Sequence, residues 1–111
     1  MFSQPSDEKE ISVEQFKNEM KSDTNLVILD VRNPEELQSS LGQINGVINI
    51  PVQVLGQRIH ELDKYKNKHI AVICRTGHRS EIAANYLRGK GFNAANVMGG
   101  MVAYRRSEKS N

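Results

Sequence analysis

The sequence lacks the features of disulfide-bonded, zinc-binding and membrane proteins. Cys74 is its only cysteine, so it has neither an internal disulfide nor a CxxC pair for zinc. Its apolar runs are only a few residues long, far below the about 20 that span a bilayer. The first segment, MFSQPSDEKE, has no apolar stretch typical of a signal peptide. We expect no membrane partner and a cytoplasmic location, where a free thiol stays reduced.

The charge and the length are also modest. A net charge of +2, with no basic stripe interleaved with aromatic residues, does not indicate a nucleic-acid partner. Hydrophobic residues make up 38% and charged residues 25% of the 111 positions, which is typical of one globular domain. We expect that domain at residues 11–106, between flexible tails at 1–10 and 107–111. We expect no metal and no other cofactor.

Short apolar runs alternate with amphipathic segments along the chain. Residues 26–29 and 70–73 are continuous apolar runs typical of strands covered on both faces. Shorter extended segments are predicted at 46–51 and 94–97. Helical patterns lie between them, at residues 12–20, 33–42, 52–62, 80–89 and 101–106. This alternation predicts an α/β fold, with a mostly parallel central sheet and helices on both faces.

Cys74 directly follows the second apolar run and begins the segment CRTGHRS. In a parallel sheet, ligands bind outside the carboxyl ends of the strands. The residues after the cysteine are rich in hydrogen-bond donors and positive charge: Arg75, Thr76, Gly77, His78, Arg79 and Ser80. Cations or a helix N-terminus lower the pKa of a thiol, and the thiolate is the reactive form. The pattern predicts an activated nucleophile in an anion-binding loop.

A structural interpretation of Cys74 has to be considered, because a lone cysteine after an apolar strand is most often a core residue. The polar segment that follows is poor core material, and we therefore favour a reactive thiol. Gly77 allows a backbone conformation that a Cβ resists. We expect Ser80 to cap the following helix rather than to react. Thr76 and His78 are candidates for tuning substrate choice.

Three segments resemble signatures of the rhodanese family. CRTGHRS resembles the CRxGxRS active-site loop of single-domain rhodanese-like sulfurtransferases. LDVRNPEEL with GQINGVINIP resembles the N-terminal signature, and GFNAANVMGGMVAY the C-terminal one. The resemblance covers about residues 11–106 and implies a rhodanese-like fold. Gln43, Val47 and Tyr104 replace the common histidine, alanine and tryptophan, and we expect these differences to affect packing more than chemistry.

The resemblance also implies a reaction. Cys74 would take the outer sulfur of an anionic donor such as thiosulfate, release sulfite and carry the sulfur as a persulfide. A thiol, a protein or cyanide would then accept it. The residues implied to bind the substrate are Arg75, Thr76, Gly77, His78, Arg79 and Ser80. Asp30 and Arg32 of the DVR signature, together with Glu36, are expected to be structural residues near the site.

Other functions stay open. A persulfide carrier dedicated to one protein partner would have the same sequence features. A cysteine phosphatase or arsenate reductase is disfavoured, because those loops have five residues between cysteine and arginine. Here only four residues separate Cys74 from Arg79. A non-catalytic binding module is disfavoured because such relatives commonly lack the loop cysteine.

Overall fold

The computed structural model describes residues 8–109. Its strands are β1 (Glu10–Ile11), β2 (Val27–Asp30), β3 (Ile48–Asn49), β4 (His69–Ile73) and β5 (Asn93–Val97). They form one sheet in the order β1-β5-β4-β2-β3, and every neighbouring pair is parallel. The helices are α1 (Val13–Ser22), α2 (His78–Gly89) and α3 (Gly100–Lys109), with 3₁₀ helices at Pro34–Gln38, Val52–Val54 and Ile59–Tyr65. The predicted α/β fold with a parallel sheet is confirmed.

The sheet separates two apolar clusters because side chains alternate along each strand. In β4, Ile70 and Val72 join the cluster that contains Leu87 of α2. Ala71 and Ile73 point to the opposite face. The residues of α1 and α3 in that second cluster are Phe16, Met101 and Tyr104. Helices therefore cover both faces, as predicted, and all five residues of β4 are buried.

Two segments differ from the predicted helices. Residues 33–42 contain a 3₁₀ helix that ends at Gln38 rather than at Gly42. Residues 52–62 are divided between two 3₁₀ helices, and a turn at 55–58 separates them. Segments this short gain few i→i−4 hydrogen bonds, so the cost of starting an α-helix is not offset. The apolar spacing of three and four residues does not distinguish the two helix types.

The sheet and α3 include residues that the sequence assigned to the tails. Glu10 belongs to β1, and the Asn96 N–H donates to the Lys9 carbonyl at 2.9 Å. α3 continues to Lys109, and its Ser107 hydroxyl accepts a hydrogen bond from Lys17 Nζ at 3.2 Å. Residues 1–7 and 110–111, the rest of the predicted tails, lie outside the described residues. Among residues 8–109, no helix is long and apolar enough to cross a membrane.

Candidate active site

Cys74 lies between the carboxyl end of β4 and the start of α2. The helix begins at His78, two positions before the start predicted from the sequence, and Gly77 is its N-cap. Gly77 has φ +107°, and a Cβ there would approach the Gly99 backbone nitrogen to 3.2 Å. Glycine is therefore needed for both conformation and space, as its place in the sequence predicts.

The sulfur of Cys74 occupies the position of a helix-capping acceptor. Its Sγ accepts hydrogen bonds from the Gly77 N–H at 3.1 Å, the Ser80 N–H at 3.3 Å and the Ser80 hydroxyl at 3.2 Å. Ser80 is the third residue of α2, and its N–H lacks a partner within the helix. Cys74 is only 1% exposed. The helix N-terminus therefore converges on a buried sulfur.

These hydrogen bonds lower the pKa of the Cys74 thiol. Burial by itself raises the pKa of Cys74, because the charged form loses hydration. Hydrogen bonds from the Ser80 side chain and from the N–H groups of Ser80, Gly77 and Thr76 outweigh burial and leave the pKa below its ordinary value. The thiolate is therefore favoured mainly by local donors, whereas the sequence pattern emphasised the loop's positive charges.

Ser80 does not cap α2, which corrects the sequence-based expectation. Its buried hydroxyl lies 3.2 Å from Cys74 Sγ and 2.5 Å from Asn96 Oδ1. Asn96 Nδ2 in turn donates to Glu10 Oε1 at 2.8 Å. Neither Asn96 nor Glu10 was predicted from the sequence to lie at the site. A polar residue inside the otherwise apolar segment 94–97 was the available signal.

The two arginines of the CRTGHRS segment, Arg75 before α2 and Arg79 in its first turn, have different environments. Arg79 donates from Nη1 to Glu36 Oε2 at 2.7 Å and from Nη2 to Glu36 Oε1 at 2.8 Å. These hydrogen bonds, helped by one from the Asn33 N–H, lower the pKa of Glu36 to about 2. Arg75 is exposed, as are Thr76 and His78. Arg79 is therefore held by a protein carboxylate, while Arg75 faces solvent.

Asp30 and Arg32 form a buried ion pair beside the loop. Arg32 Nε and Nη2 contact the Asp30 carboxylate at 3.0 and 2.7 Å. Arg32 also donates to the carbonyls of Glu36 at 3.2 Å and Gly42 at 2.7 Å. The side chains of Asp30 and Arg32 are 0% and 1% exposed. The pair joins the end of β2 to the 3₁₀ helix that carries Glu36.

The start of α3 packs against the carbonyl groups of the cysteine loop. The Met101 N–H donates to the Cys74 carbonyl at 2.8 Å, and the Val102 N–H donates to the Arg75 carbonyl at 3.0 Å. A Cβ on Gly100 would lie 2.5 Å from the Cys74 carbonyl oxygen. Glycine at this position therefore allows the start of α3 to pack directly against the backbone of Cys74 and Arg75.

This combination of fold and loop matches a known protein family. Residues 12–107 match the family described as rhodanese-like domain. The chain belongs to the rhodanese-like family. The match includes Cys74 and most of the segment in which the sequence resembled the three family signatures.

Several proteins are similar to this rhodanese-like chain. The putative sulfur carrier protein YrkF of Bacillus subtilis is 43% identical over 93 residues, which are 83% of this chain and 48% of YrkF. This chain thus spans about half the length of YrkF. The putative sulfurtransferase YtwF of the same organism is 36% identical over 101 residues, covering 91% of this chain and 94% of YtwF. These names support sulfur transfer in general.

A solved structure and a longer relative extend the comparison. A rhodanese-related protein from Thermoplasma volcanium superposes with a TM-score of 0.79 and 32% identity, over 89% of this chain and 92% of that one. A tRNA sulfurtransferase of Histophilus somni is 40% identical over 76 residues, which are 67% of this chain and 15% of that protein. The fold is therefore shared over nearly the whole chain.

Proposed function

We propose that this rhodanese-like protein is a sulfurtransferase that carries sulfane sulfur as a persulfide on Cys74. The observation that supports the proposal most directly is the environment of the sulfur. Cys74 Sγ is buried at the end of β4 and accepts hydrogen bonds from Gly77 and Ser80 at the start of α2. Donors that favour an anion on the sulfur of Cys74 suit a thiolate nucleophile.

The proposed reaction has two displacements at sulfur. The Cys74 thiolate attacks the outer sulfur of an anionic donor such as thiosulfate, and a new sulfur–sulfur bond forms. The donor's own sulfur–sulfur bond breaks, and its electron pair leaves with sulfite. An acceptor thiolate or cyanide then attacks the outer sulfur of the persulfide, and the Cys74 thiolate is released. Cys74 is the only cysteine, so the acceptor is external.

The loop residues have separate roles in this proposal. Exposed Arg75 attracts the anionic donor. Gly77 and Ser80 present donors to the sulfur, while exposed Thr76 and His78 contact the substrate at the mouth of the loop. Arg79 is already bound to Glu36, so it contributes positive charge and holds the loop rather than closing on the substrate. The buried ion pair of Asp30 and Arg32 supports the contact between Arg79 and Glu36.

A dedicated persulfide carrier is the second candidate, because YrkF is named a putative sulfur carrier protein. In that case the natural acceptor is a protein thiol, and thiosulfate is a convenient donor. A cytoplasmic location is part of both versions. The expectation of no nucleic-acid partner is not carried into either, because one relative is named a tRNA sulfurtransferase.

The decisive experiment is intact-protein mass spectrometry after incubation with thiosulfate. We expect a gain of one sulfur atom that a reducing thiol reverses and that Cys74→Ala and Cys74→Ser both lack. An unmodified wild-type mass with thiosulfate, inorganic polysulfide and glutathione persulfide would overturn the proposal. Turnover of the loaded protein with cyanide, compared with a protein thiol, separates the enzyme from the dedicated carrier. Hydrolysis of a phosphate ester would favour the phosphatase instead.

A further inference from the structure

The Ser80 hydroxyl lies between two acceptors. It is 3.2 Å from Cys74 Sγ and 2.5 Å from Asn96 Oδ1. A serine hydroxyl has one hydrogen and therefore donates one good hydrogen bond at a time. Cys74, Ser80 and Asn96 are 1%, 0% and 3% exposed, so water does not readily replace a lost partner. The sulfur and the amide oxygen therefore compete for a single proton.

Glu10 fixes which end of the Asn96 side chain faces Ser80. An ionised carboxylate only accepts hydrogen bonds, so the amide must present Nδ2 to Glu10, at 2.8 Å. The amide oxygen then points to Ser80. The parallel register of β1 and β5 pairs Glu10 with Asn96 and keeps the two side chains together. The edge strand thus sets the direction of a hydrogen bond at the active site.

We propose that Asn96, oriented by Glu10, is a positioning residue that competes with the Cys74 sulfur for the Ser80 proton and thereby favours the thiol over the thiolate. With the thiol, S–H donates to Ser80 Oγ and Ser80 donates to Asn96, so every group is satisfied. With the thiolate, Ser80 turns to the sulfur. Asn96 Oδ1 then faces a hydroxyl oxygen across 2.5 Å and is left without a donor.

This arrangement has a consequence for sulfur transfer, which rests on the proposed function. In the persulfide, the negative charge lies on the outer sulfur and the sulfur of Cys74 is neutral. Ser80 can then donate to Asn96 again, so the loaded state keeps the hydrogen bond that the free thiolate loses. A thiolate of higher pKa is also the stronger nucleophile. Asn96 therefore lowers the fraction of Cys74 that is thiolate, but it makes each thiolate more reactive and favours the state in which Cys74 carries the persulfide.

Other charged groups near the sulfur come from different elements. Arg79 of α2 interacts with the charge on Cys74 and is bound to Glu36, and Asp30 of β2 also acts on Arg79. Arg75 lies in the loop directly after Cys74, His78 is the first residue of α2, and Glu10 of β1 lies beyond Asn96. Substitution of Asn96 changes none of these charges. A change in Cys74 ionisation on that substitution therefore reports the hydrogen-bond network.

The test measures the rate of alkylation by iodoacetamide against pH in four proteins: wild type, Asn96→Ala, Ser80→Ala and the double variant. Cys74 is the only cysteine, so all thiol alkylation reports on it. We expect Asn96→Ala to lower the apparent pKa of Cys74 by about half a unit to one unit, the scale of one hydrogen bond. We expect Ser80→Ala to raise it. In the double variant the pKa of Cys74 should equal its pKa in Ser80→Ala, because Asn96 acts only through Ser80.

An unchanged or raised pKa in Asn96→Ala would overturn the proposal, and so would a fall that persists without the Ser80 hydroxyl. Circular dichroism checks that each variant is folded. If Asn96→Ala is unfolded, Glu10→Gln, alone and with Ser80→Ala, decides the question. The Glu10→Gln change loosens the orientation of Asn96 and should lower the pKa of Cys74. A fall in pKa that is smaller when Ser80→Ala is also present supports the proposal, because that difference depends on the Ser80 hydroxyl. A fall of equal size with and without Ser80→Ala would overturn it. Alkylation needs no sulfur donor, so this result is independent of the persulfide experiment.

Discussion

Arg79 and Glu36, 43 positions apart in the sequence, form a two-point ion pair with distances of 2.7 and 2.8 Å. The pair joins the first turn of α2 to the 3₁₀ helix after β2. From the sequence, Arg79 was expected to bind the substrate anion and Glu36 to join Asp30 and Arg32. The pair anchors the start of α2, next to Cys74, to the neighbouring 3₁₀ helix, where Glu36 also accepts a hydrogen bond from Arg32 through its carbonyl. Parallel fork-to-fork contacts of this kind are among the stronger charged hydrogen bonds.

Replacing Glu36 with glutamine should reduce the acid sensitivity of folding. The pKa of Glu36 is lowered from 4.5 to about 2 in the folded protein. The ionised pair therefore contributes stability that is fully present above pH 4.5 and is lost as the pH falls toward 2. The wild-type free energy of unfolding should fall more steeply across that window than that of Glu36→Gln, in urea titrations at a series of pH values. Glu35→Gln removes an exposed neighbouring carboxylate as the control, and equal slopes for wild type and Glu36→Gln would contradict the prediction.

Replacing Arg75 with alanine should weaken binding of an anionic sulfur donor without affecting stability. Arg75 is exposed on the loop, so its removal leaves no buried group unpaired. We expect KM for thiosulfate to rise about threefold to tenfold and to become less dependent on salt, since a recruiting charge is lost. Lys21→Ala, on the last turn of α1, is the control for loss of an exposed cation. An equal KM in Arg75→Ala and Lys21→Ala would argue against the role of Arg75.

Gly100→Ala should destabilise the loop strongly, whereas Gly89→Ala should not. Gly100 has φ +59°, and a Cβ would lie 2.5 Å from the Cys74 carbonyl oxygen and 2.6 Å from that of Arg75. Strain and displacement of α3 should together cost more than about 2 kcal/mol. A Cβ on Gly89, in the last turn of α2, meets nothing within 4 Å. Gly89→Ala should therefore raise the free energy of unfolding by up to about 1 kcal/mol. Thermal and urea unfolding compare the two, and similar stabilities would refute the prediction.

Arg32→Ala should be the most damaging of the charge deletions. It leaves the Asp30 carboxylate buried without its cation and removes donors from the carbonyls of Glu36 and Gly42. Breaking a buried pair from one side costs about 3–5 kcal/mol. Arg58→Ala, which breaks an exposed pair with Glu61, is the matched control. Its free energy of unfolding should stay close to that of the wild type. An equal decrease in the free energy of unfolding in Arg32→Ala and Arg58→Ala would show that the buried Asp30 carboxylate does not need its arginine partner.

The outline of the fold follows from local sequence. The apolar run 70–73 matches β4 except for His69, and 26–29 is displaced by one residue from β2. Gly77 was predicted from the loop alone, because a helix start beside a strand end restricts the backbone whatever the rest of the chain does. The 3₁₀ helices were missed since apolar spacing is similar in both helix types. The end of α3 was placed too early, at a polar segment that continues the helix to Lys109.

The sequence by itself determined the parallel α/β fold, the place of Cys74 at the end of a strand and the donors next to it, because these depend on neighbours along the chain. Only the tertiary structure decided the partners. Arg79 meets Glu36 across 43 positions, Ser80 meets Asn96 across 16, and Asn96 meets Glu10 across 86. Such contacts require the strand order and register, which bring β1 beside β5, and no local pattern encodes which polar group will face another across a buried sheet.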